Sequence, residues 1–419
     1  MNRPVTTRSR RRRRVLLAMG FLSPERQAGI VRYARQAGWI VDWSLPRYHA
    51  VGEDQQYLHA SQYDGVLALC SKASPWLPEL LRNFTVPVVD MWSDYPQEPF
   101  PRVLLDNVAI GRAAANHLLS RGFRNLLFYT HAIEAKAAEA RYEGFAQAAR
   151  AAGAEVRQLN WDHRAGPRGR QARAAWLAGW LSRAELPLGV MGSNDPIACE
   201  VLEAAELAGL AVPGQVAVIG VDNDPAVTEL ASVPLSSVDS AREHAGYAAA
   251  ALLDRLMNGA AAPGQPILIQ PGPVIARRST DALAVRDPRV AAAIQFIQDH
   301  FHEPITAEQV AAGAGVSRRW LQSRILVHTG RTIHQTITWQ RIEHAQRLLV
   351  GTRMKIQLVA SQCGFGTGEN LCKVFHRRVG MTPQQYRERY LSSEARSGVI
   401  DAGLPDRTDE LPKMPMQLP

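Results

Sequence analysis

Residues 306–325 read TAEQVAAGAGVSRRWLQSRI and residues 355–375 read KIQLVASQCGFGTGENLCKVF. Each is a short helix, a tight turn and a second helix with one face left free. In the first, Thr306 with Gln309 three residues on makes a capping box, which satisfies amide donors at a helix start. Val310, Ala311 and Ala314 supply small apolar packing, Gly313 and Gly315 allow a sharp turn, and Ser317 caps the next helix. On that helix the 3.6-residue period puts Leu321, Arg324 and Ile325 on one side. Arg318, Arg319, Gln322 and Ser323 fall on or beside the other, which is short, polar and basic. In the second copy Ile356, Val359 and Ala360 pack, Gly364 turns, Phe365 anchors, and Thr367 caps a helix carrying Leu371, Val374 and Phe375. Its outward positions are Gly368, Glu369, Cys372 and Lys373.

Between the copies, Thr332 to Leu349 reads as one helix with Ile342, Ala345, Leu348 and Leu349 on a stripe. A single rod fixes the spacing of the two units. The span Asp299 to Tyr390, closing on Phe375, Gly380, Met381, Thr382, Pro383, Tyr386 and Arg387, resembles the DNA-binding domain of AraC-type transcription regulators. The plainer alternative is a helical bundle with turn glycines. The resemblance implies an all-α C-terminal domain with two helix-turn-helix units that enter successive major grooves, about 10 base pairs apart. Arg318 and Arg319 then suit guanine, Gln322 adenine, Glu369 cytosine, and Lys373 guanine or phosphate.

The chain has 419 residues, more than one core usually holds, so two or three domains are expected. It is 46% hydrophobic and 21% charged, with a formal charge of +9. Residues 287–391 hold 14 Lys or Arg against 7 Asp or Glu, and Arg3 to Arg14 holds 7 arginines without an acid. The middle is therefore mildly acidic, and the basic ends point to a polyanion such as DNA. The four cysteines, Cys70, Cys199, Cys363 and Cys372, show no C-x-x-C or Cys/His ligand spacing, so no metal and no cofactor is expected. SRRRRRVLLAMGFL imitates an export signal, but its apolar run is short and Pro24, Glu25 and Arg26 follow at once. A cytoplasmic protein without a membrane partner is expected. Residues 1–14 read as a disordered basic tail and 392–419 as a disordered tail.

From Val15 to Thr280 short apolar runs alternate with amphipathic helices, including VLLAMG, GVLAL, VPVVDMW, NLLFYT, LGVMGS and VAVIGVD. Such alternation implies parallel sheets covered on both faces, and the length suits two lobes divided near Asp106. SSVDSAREHAGYAAAALLDRLMNG reads as a further helix and QPILIQPGPVIARRST as two extended pieces. Residues 281–289, with Pro288, read as a linker between a 15–280 domain and a 290–391 domain.

Ligands of parallel sheets bind beyond the carboxyl ends of the strands. Asn194 and Asp195 follow LGVMGS, Asp222 ends VAVIGVD, and Arg141 lies beyond NLLFYT. With Trp43, Trp92 or Trp161 as an aromatic face, such groups suit a polyhydroxylated ligand. Each has a plainer reading: Asn194 as an N-cap, Asp195 as a first-turn carboxylate, Asp222 as a turn cap and Arg141 as a surface ion pair. The stretches DNVAIGRAAANHLLSRGFRNLLFY, ARYEGF, GSNDPIACEVLEAAELAGLAVPGQVAVIGVDN and PLSSVDSAREHAGYAAAALLDRL resemble the effector domain of LacI-type regulators, itself similar to periplasmic sugar-binding proteins. That resemblance implies an α/β two-lobed domain in which Arg141, Asn194, Asp195 and Asp222 face the effector. The usual LacI-type headpiece is missing, so DNA contact falls to the C-terminal domain. Together the two resemblances imply a DNA-binding transcription regulator that is not an enzyme. Its expected partners are double-stranded promoter DNA, a small xylose-like sugar, a second copy in a homodimer, and RNA polymerase. A transport-type sugar receptor is the alternative. No dinucleotide fingerprint, P-loop, G-x-S-x-G or zinc spacing is present to support an enzyme.

Overall fold

The structure is a computed structural model that describes residues 11–19, 23–43, 62–72, 74–92, 94–131, 136–161, 169–282, 287–329 and 331–390. The C-terminal tail, most of the N-terminal basic tail and linker residues 283–286 lie outside the described residues.

The chain opens with β1 (Arg14–Met19), α1 (Pro24–Ala37), β2 (Ile40–Asp42), β3 (Gly65–Leu69), α2 (Leu77–Arg82), β4 (Val88–Asp90) and β5 (Val103–Leu105). The first four strands form a parallel sheet in the order β2-β1-β3-β4, and a bridge from Asp90 to Arg102 carries it on toward β5. Val15 to Met19 and all of β3 are buried, as expected for strands covered on both faces.

After α3 (Asn107–Ser120) come β6 (Asn125–Thr130), α4 (Lys136–Ala151), β7 (Glu155–Asn160), α5 (Arg170–Leu181), β8 (Leu188–Gly192) and α6 (Asp195–Leu207). They are followed by β9 (Val216–Val221), α7 (Pro225–Thr228), β10 (Ser236–Val238), α8 (Arg242–Met257), β11 (Ile267–Ile269) and β12 (Val274–Ile275). The second sheet has the order β12-β10-β9-β8-β6-β7, parallel except where β12 joins β10.

Two expectations are corrected here. Ser236–Val238 is a strand, and the helix begins only at Arg242. Nor is Asp106 a simple boundary between lobes. The chain returns to the first lobe, where Ala245, Ala249, Leu252 and Leu253 of α8 and Ile269 of β11 join the core of β1 and β3. Val238 and Val274 belong to the second-lobe core. The backbone thus crosses between lobes three times, near residues 106, 239–241 and 270–273. Each lobe also brings two helices very close. A Cβ on Gly29 of α1 would lie 1.9 Å from Glu243 O of α8, and one on Gly144 of α4 1.9 Å from Val108 O of α3.

The remaining helices are α9 (Pro288–His300), α10 (Ala307–Gly313), α11 (Arg318–Thr329), α12 (Ile333–Gly351), α13 (Ile356–Gln362), α14 (Gly368–Val379) and α15 (Pro383–Tyr390). α10 with α11 and α13 with α14 are the two helix-turn-helix units, and α12 is the rod between them. Capping boxes start α10 at Thr306 and α12 at Thr332, and the Thr367 hydroxyl accepts from Asn370 N at the start of α14. Of the two turn glycines expected in the first unit, only Gly315 has a positive φ, +66°. Gly313 instead admits the Phe296 ring of α9, which a Cβ there would meet at 2.3 Å. One core gathers Val310, Leu321, Ile325 and Ile337 around α9, and a second gathers Leu349, Val359, Leu371 and Phe375.

Ion pairs and hydrogen bonds join this domain to the second lobe. Arg121 at the end of α3 is 2% exposed, donates to Thr280 O at 2.8 Å, pairs with Glu343 of α12, and lies 5.0 Å from the Trp339 ring centroid. Arg331 donates to Ser120 O at 3.0 Å, and Gln298 to Asp281 O at 2.7 Å. Among the described residues no helix is long and apolar enough to cross a membrane.

Candidate functional site

The carboxyl ends of strands from both lobes meet at the crossings and enclose a cavity of about 80 Å³ lined by Ser23, Arg26, Trp92, Asn107, Arg141 and Arg242, among others. Asp222, one residue past β9, stands beside it. Its backbone has φ 106°, a conformation that L side chains avoid and that persists only where surroundings enforce it. The enforcing bonds are visible. Asp222 N donates to Val238 O at 2.9 Å, Ser240 Oγ donates to Asp222 Oδ1 at 2.9 Å, and Arg242 Nη2 donates to Oδ2. Arg141 Nη2 lies 3.8 Å from the same carboxylate.

Arg141 is 7% exposed and oriented from two sides: its Nε donates to Asn107 Oδ1 at 3.0 Å and its Nη1 to Ser193 O. Burial pushes its guanidinium below the ordinary value, Asp222 opposes this, and Arg242 adds to it. The surface ion pair considered above for Arg141 does not describe a side chain this deeply buried.

Asn194 and Asp195 lie at the end of β8, but their oxygens are engaged inside the second lobe. Asn194 Oδ1 accepts from Ile197 N at 3.0 Å, which caps α6. Asp195 is fully buried and accepts from Asp224 N at 2.9 Å and from Ser237 Oγ at 2.6 Å. It shapes the wall of the cleft by tying the loop after β9 to β10, and its carboxylate has no exposed surface. Burial pushes its carboxyl up to about 7, against the pull of those two hydrogen bonds.

Sequence reasoning missed Arg26, Asn107 and Arg242. Arg26 is 3% exposed, its Nε has no hydrogen-bond partner among the described residues, and its guanidinium lies 5.8 Å from the Trp92 ring centroid. Burial first, and Arg242 second, bring its pKa down to about 10. Nearby, Asp90 at the end of β4 is fully buried; its Oδ1 accepts from Cys70 N and Trp92 N, and its Oδ2 has no hydrogen-bond partner among the described residues. Burial pushes this carboxyl up to about 7. The strand-end rule could have found Arg26 and Asp90 had it been applied to β1 and β4 as well as to the second lobe. Of the tryptophans, only Trp92 lines the cavity. Trp43 packs on the first-lobe core, and Trp161 is buried against Trp176 with ring centroids 5.0 Å apart.

On α11, Arg319 and Ser323 are exposed, Gln322 is half-buried, and Arg318 is exposed but paired with Glu308 of α10. Arg324, expected on the packed side, is exposed; Leu321 and Ile325 are the buried anchors of the helix, with Trp320 packed beside them. On α14, Glu369 and Lys373 are exposed and Gly368 and Cys372 half-buried. Gly368 N donates to Gln357 Oε1 at 2.8 Å, and a Cβ at 368 would meet that oxygen at 2.8 Å. Among the described residues no group of three or more His, Cys, Asp or Glu is placed to hold a metal ion.

The sequence matches the periplasmic binding protein-like domain family over residues 115–280 and the helix-turn-helix domain family over residues 310–389. It is 32% identical over 343 residues to the xylose operon regulatory protein of Escherichia coli strain K12, covering 78% of this chain and 84% of that one. To the protein of the same name from Haemophilus influenzae it is 30% identical over 338 residues, covering 77% and 84%. A solved structure of a xylose-binding transcription activator superposes with a TM-score of 0.58 at 28% identity, over 91% of this chain and 100% of that one.

Proposed function

Because this chain belongs to the family of the xylose operon regulatory proteins, AraC-type transcription regulators with a periplasmic-binding-protein-like effector domain, we propose that a pentose, xylose first, is the effector held in its cleft. The observation that carries this reading is Asp222, fixed at a strained backbone angle between Arg141 and Arg242 where the two lobes meet. A carboxylate beside guanidinium groups offers acceptors and donors in pairs, which suits adjacent sugar hydroxyls. Trp92 supplies a face for the apolar C–H side of the ring, and the small cavity favours a monosaccharide over a longer sugar.

In this reading Arg26, Asn107, Arg141, Asp222 and Arg242 touch the sugar, while Asn194 and Asp195 hold the loops that present them. The protein works in the cytoplasm as a homodimer. Arg318, Arg319, Gln322 and Ser323 of α11, with Gly368, Glu369, Cys372 and Lys373 of α14, meet operator DNA. RNA polymerase is recruited from the bound promoter. The relatives are transcription regulators, and the cleft is read as a binding site without catalysis.

Titration of the full-length protein with xylose, ribose and glucose by calorimetry, followed by a gel shift on its own promoter, tests the proposal. Xylose should bind and change the shift. If none of the sugars gives heat, the effector assignment is wrong; if xylose binds but no promoter fragment shifts, the regulatory role fails.

A further inference from the structure

A far larger cavity than the cleft, about 700 Å³, lies between the second lobe and the helix-turn-helix domain. Sites for small ligands run from roughly 300 to 1,000 Å³, so this one is of useful size. Its walls come from α3, residues 273–276, α12 and the end of α14. Among the described residues four arginines line it, against a single carboxylate, Glu343. Two of the arginines are answered: Arg121 pairs with Glu343, and Arg347 lies 3.5 Å from Asp281 just outside the lining.

Arg331 and Arg378 have no carboxylate within ion-pair distance among the described residues. Arg331 is held in place by Ser120 O and by the Trp339 ring, whose centroid is 4.7 Å away. Burial pushes the Arg331 guanidinium below its ordinary value; Glu343 opposes this, and the like charges of Arg121 and Arg378 add to it. Arg331 is half-buried beside these like charges, a cost that a bound anion relieves, and the exposed Arg378 lines the same cavity. Two unanswered guanidinium groups call for a dianion, and arginine grips phosphate oxygens two at a time. Gln335, Gln346 and Asn116 on the same walls offer donors and acceptors for hydroxyls.

We propose that this interdomain cavity binds a small phosphate monoester of the sugar phosphate class, with Arg331 and Arg378 on the phosphate and Gln335, Gln346 and Asn116 on the hydroxyls. The site is separate from the cleft. Because both domains form its walls, occupancy biases how one sits on the other, and so the affinity for DNA.

Calorimetry on the full-length protein at low salt, with inorganic phosphate, ribose 5-phosphate and ribose as probes, tests this. Ribose 5-phosphate should bind at one site per chain, phosphate more weakly. Asp222→Asn should leave both affinities alone, whereas Arg331→Gln and Arg378→Gln should each lower them at least about tenfold. Arg378 is exposed, so its variant reports even if Arg331→Gln disturbs folding. The proposal is overturned if neither phosphate compound binds at about 10 mM, or if Asp222→Asn abolishes binding while the arginine variants retain it. It is equally overturned if those variants lose DNA affinity in the absence of any phosphate-ester binding, which would assign the two arginines to the DNA backbone.

Discussion

At the scale of single residues, Asp222 is the group on which most depends. Its carboxylate is held by Ser240 and Arg242 and faces Arg141. Removing one member of a buried charge cluster leaves the others uncompensated, so Asp222→Ala would confuse binding with stability. Asp222→Asn keeps the shape, and asparagine tolerates a positive φ. It should weaken xylose binding by about 2–3 kcal/mol, roughly 30- to 150-fold, as expected for a lost hydrogen bond to a charged group; unchanged affinity by calorimetry would move the effector elsewhere. A second expectation concerns pH. Asp90 and Asp195 are both pushed up by burial to about 7, whereas an unfolded aspartate titrates near 3.9. Between those values the folded chain holds protons on these two groups that the unfolded chain has released, so the stability they contribute falls as pH rises from about 4 to about 7. Glu200, brought down to about 2 in spite of its burial by His131 and Arg173, works the other way, and only at lower pH. Burial first, and neighbouring arginines second, hold His117 well below its ordinary value and bring His344 down to about 4, and these two groups work the other way across the same window. The aspartates are therefore read by difference: with Asp90→Asn and Asp195→Asn together, the melting temperature should climb more, or fall less, between about pH 4 and about pH 7 than in the parent, and an unchanged slope would contradict it. Arg141 and Asp222 could be named because they follow predicted strands and match positions of the LacI-type effector domain that the sequence resembles. The same rule applied to β1 would have reached Arg26, but not Asn107 and Arg242, which come from separate segments and meet the others only when the lobes assemble.

At the scale of elements, the proposed reading of DNA belongs to α11 and α14. Arg319 is exposed and has no ion pair among the described residues, whereas Arg318 is engaged with Glu308. Arg319→Ala should cost about 1–3 kcal/mol and relax preference at one base position, and Lys373→Ala should weaken all sequences alike if it touches only phosphate. Binding-site selection on both variants decides this, and base preferences unchanged in both would refute the assignment to α11 and α14. The elements also show which patterns a sequence exposes. β3 and β6 are apolar blocks buried along most of their length, and both were legible as GVLAL and NLLFYT. β10 was not: in sequence it reads as part of the helix that follows it, because Ser236 and Ser237 leave it without an apolar run. Their hydroxyls are buried all the same, one against Thr280 and the other on Asp195, and a strand built around buried hydrogen bonds carries no apolar signature. Gly313 misled for a related reason: it resembles a turn residue, yet its missing side chain makes room for Phe296.

At the scale of the whole molecule, the question is how the cleft and the DNA-binding helices sense each other. Arg121 and Glu343 join α3 to α12, the rod that sets the spacing of the two recognition helices. A double-mutant cycle with Arg121→Met and Glu343→Gln should reveal this tie in the sugar dependence of DNA affinity. In the doubly substituted protein the coupling, typically about 1–3 kcal/mol in such systems, should shrink toward zero while the xylose affinity of the cleft stays near that of the parent. Undiminished sugar dependence would show that the signal takes another route. The three crossings were not foreseeable, since a chain that leaves a lobe and later returns is marked by no local pattern. They carry a mechanical consequence. The contacts described above fasten the DNA-binding domain to the second lobe, so if sugar closes the cleft, that lobe is the mount and the first lobe the moving arm. An arm that swings on a mount already bolted to its load transmits nothing unless its free end pushes on a neighbour. Sugar should therefore change DNA affinity only in a paired molecule, and a monomeric variant should bind its sugar normally and its operator half-site without noticing.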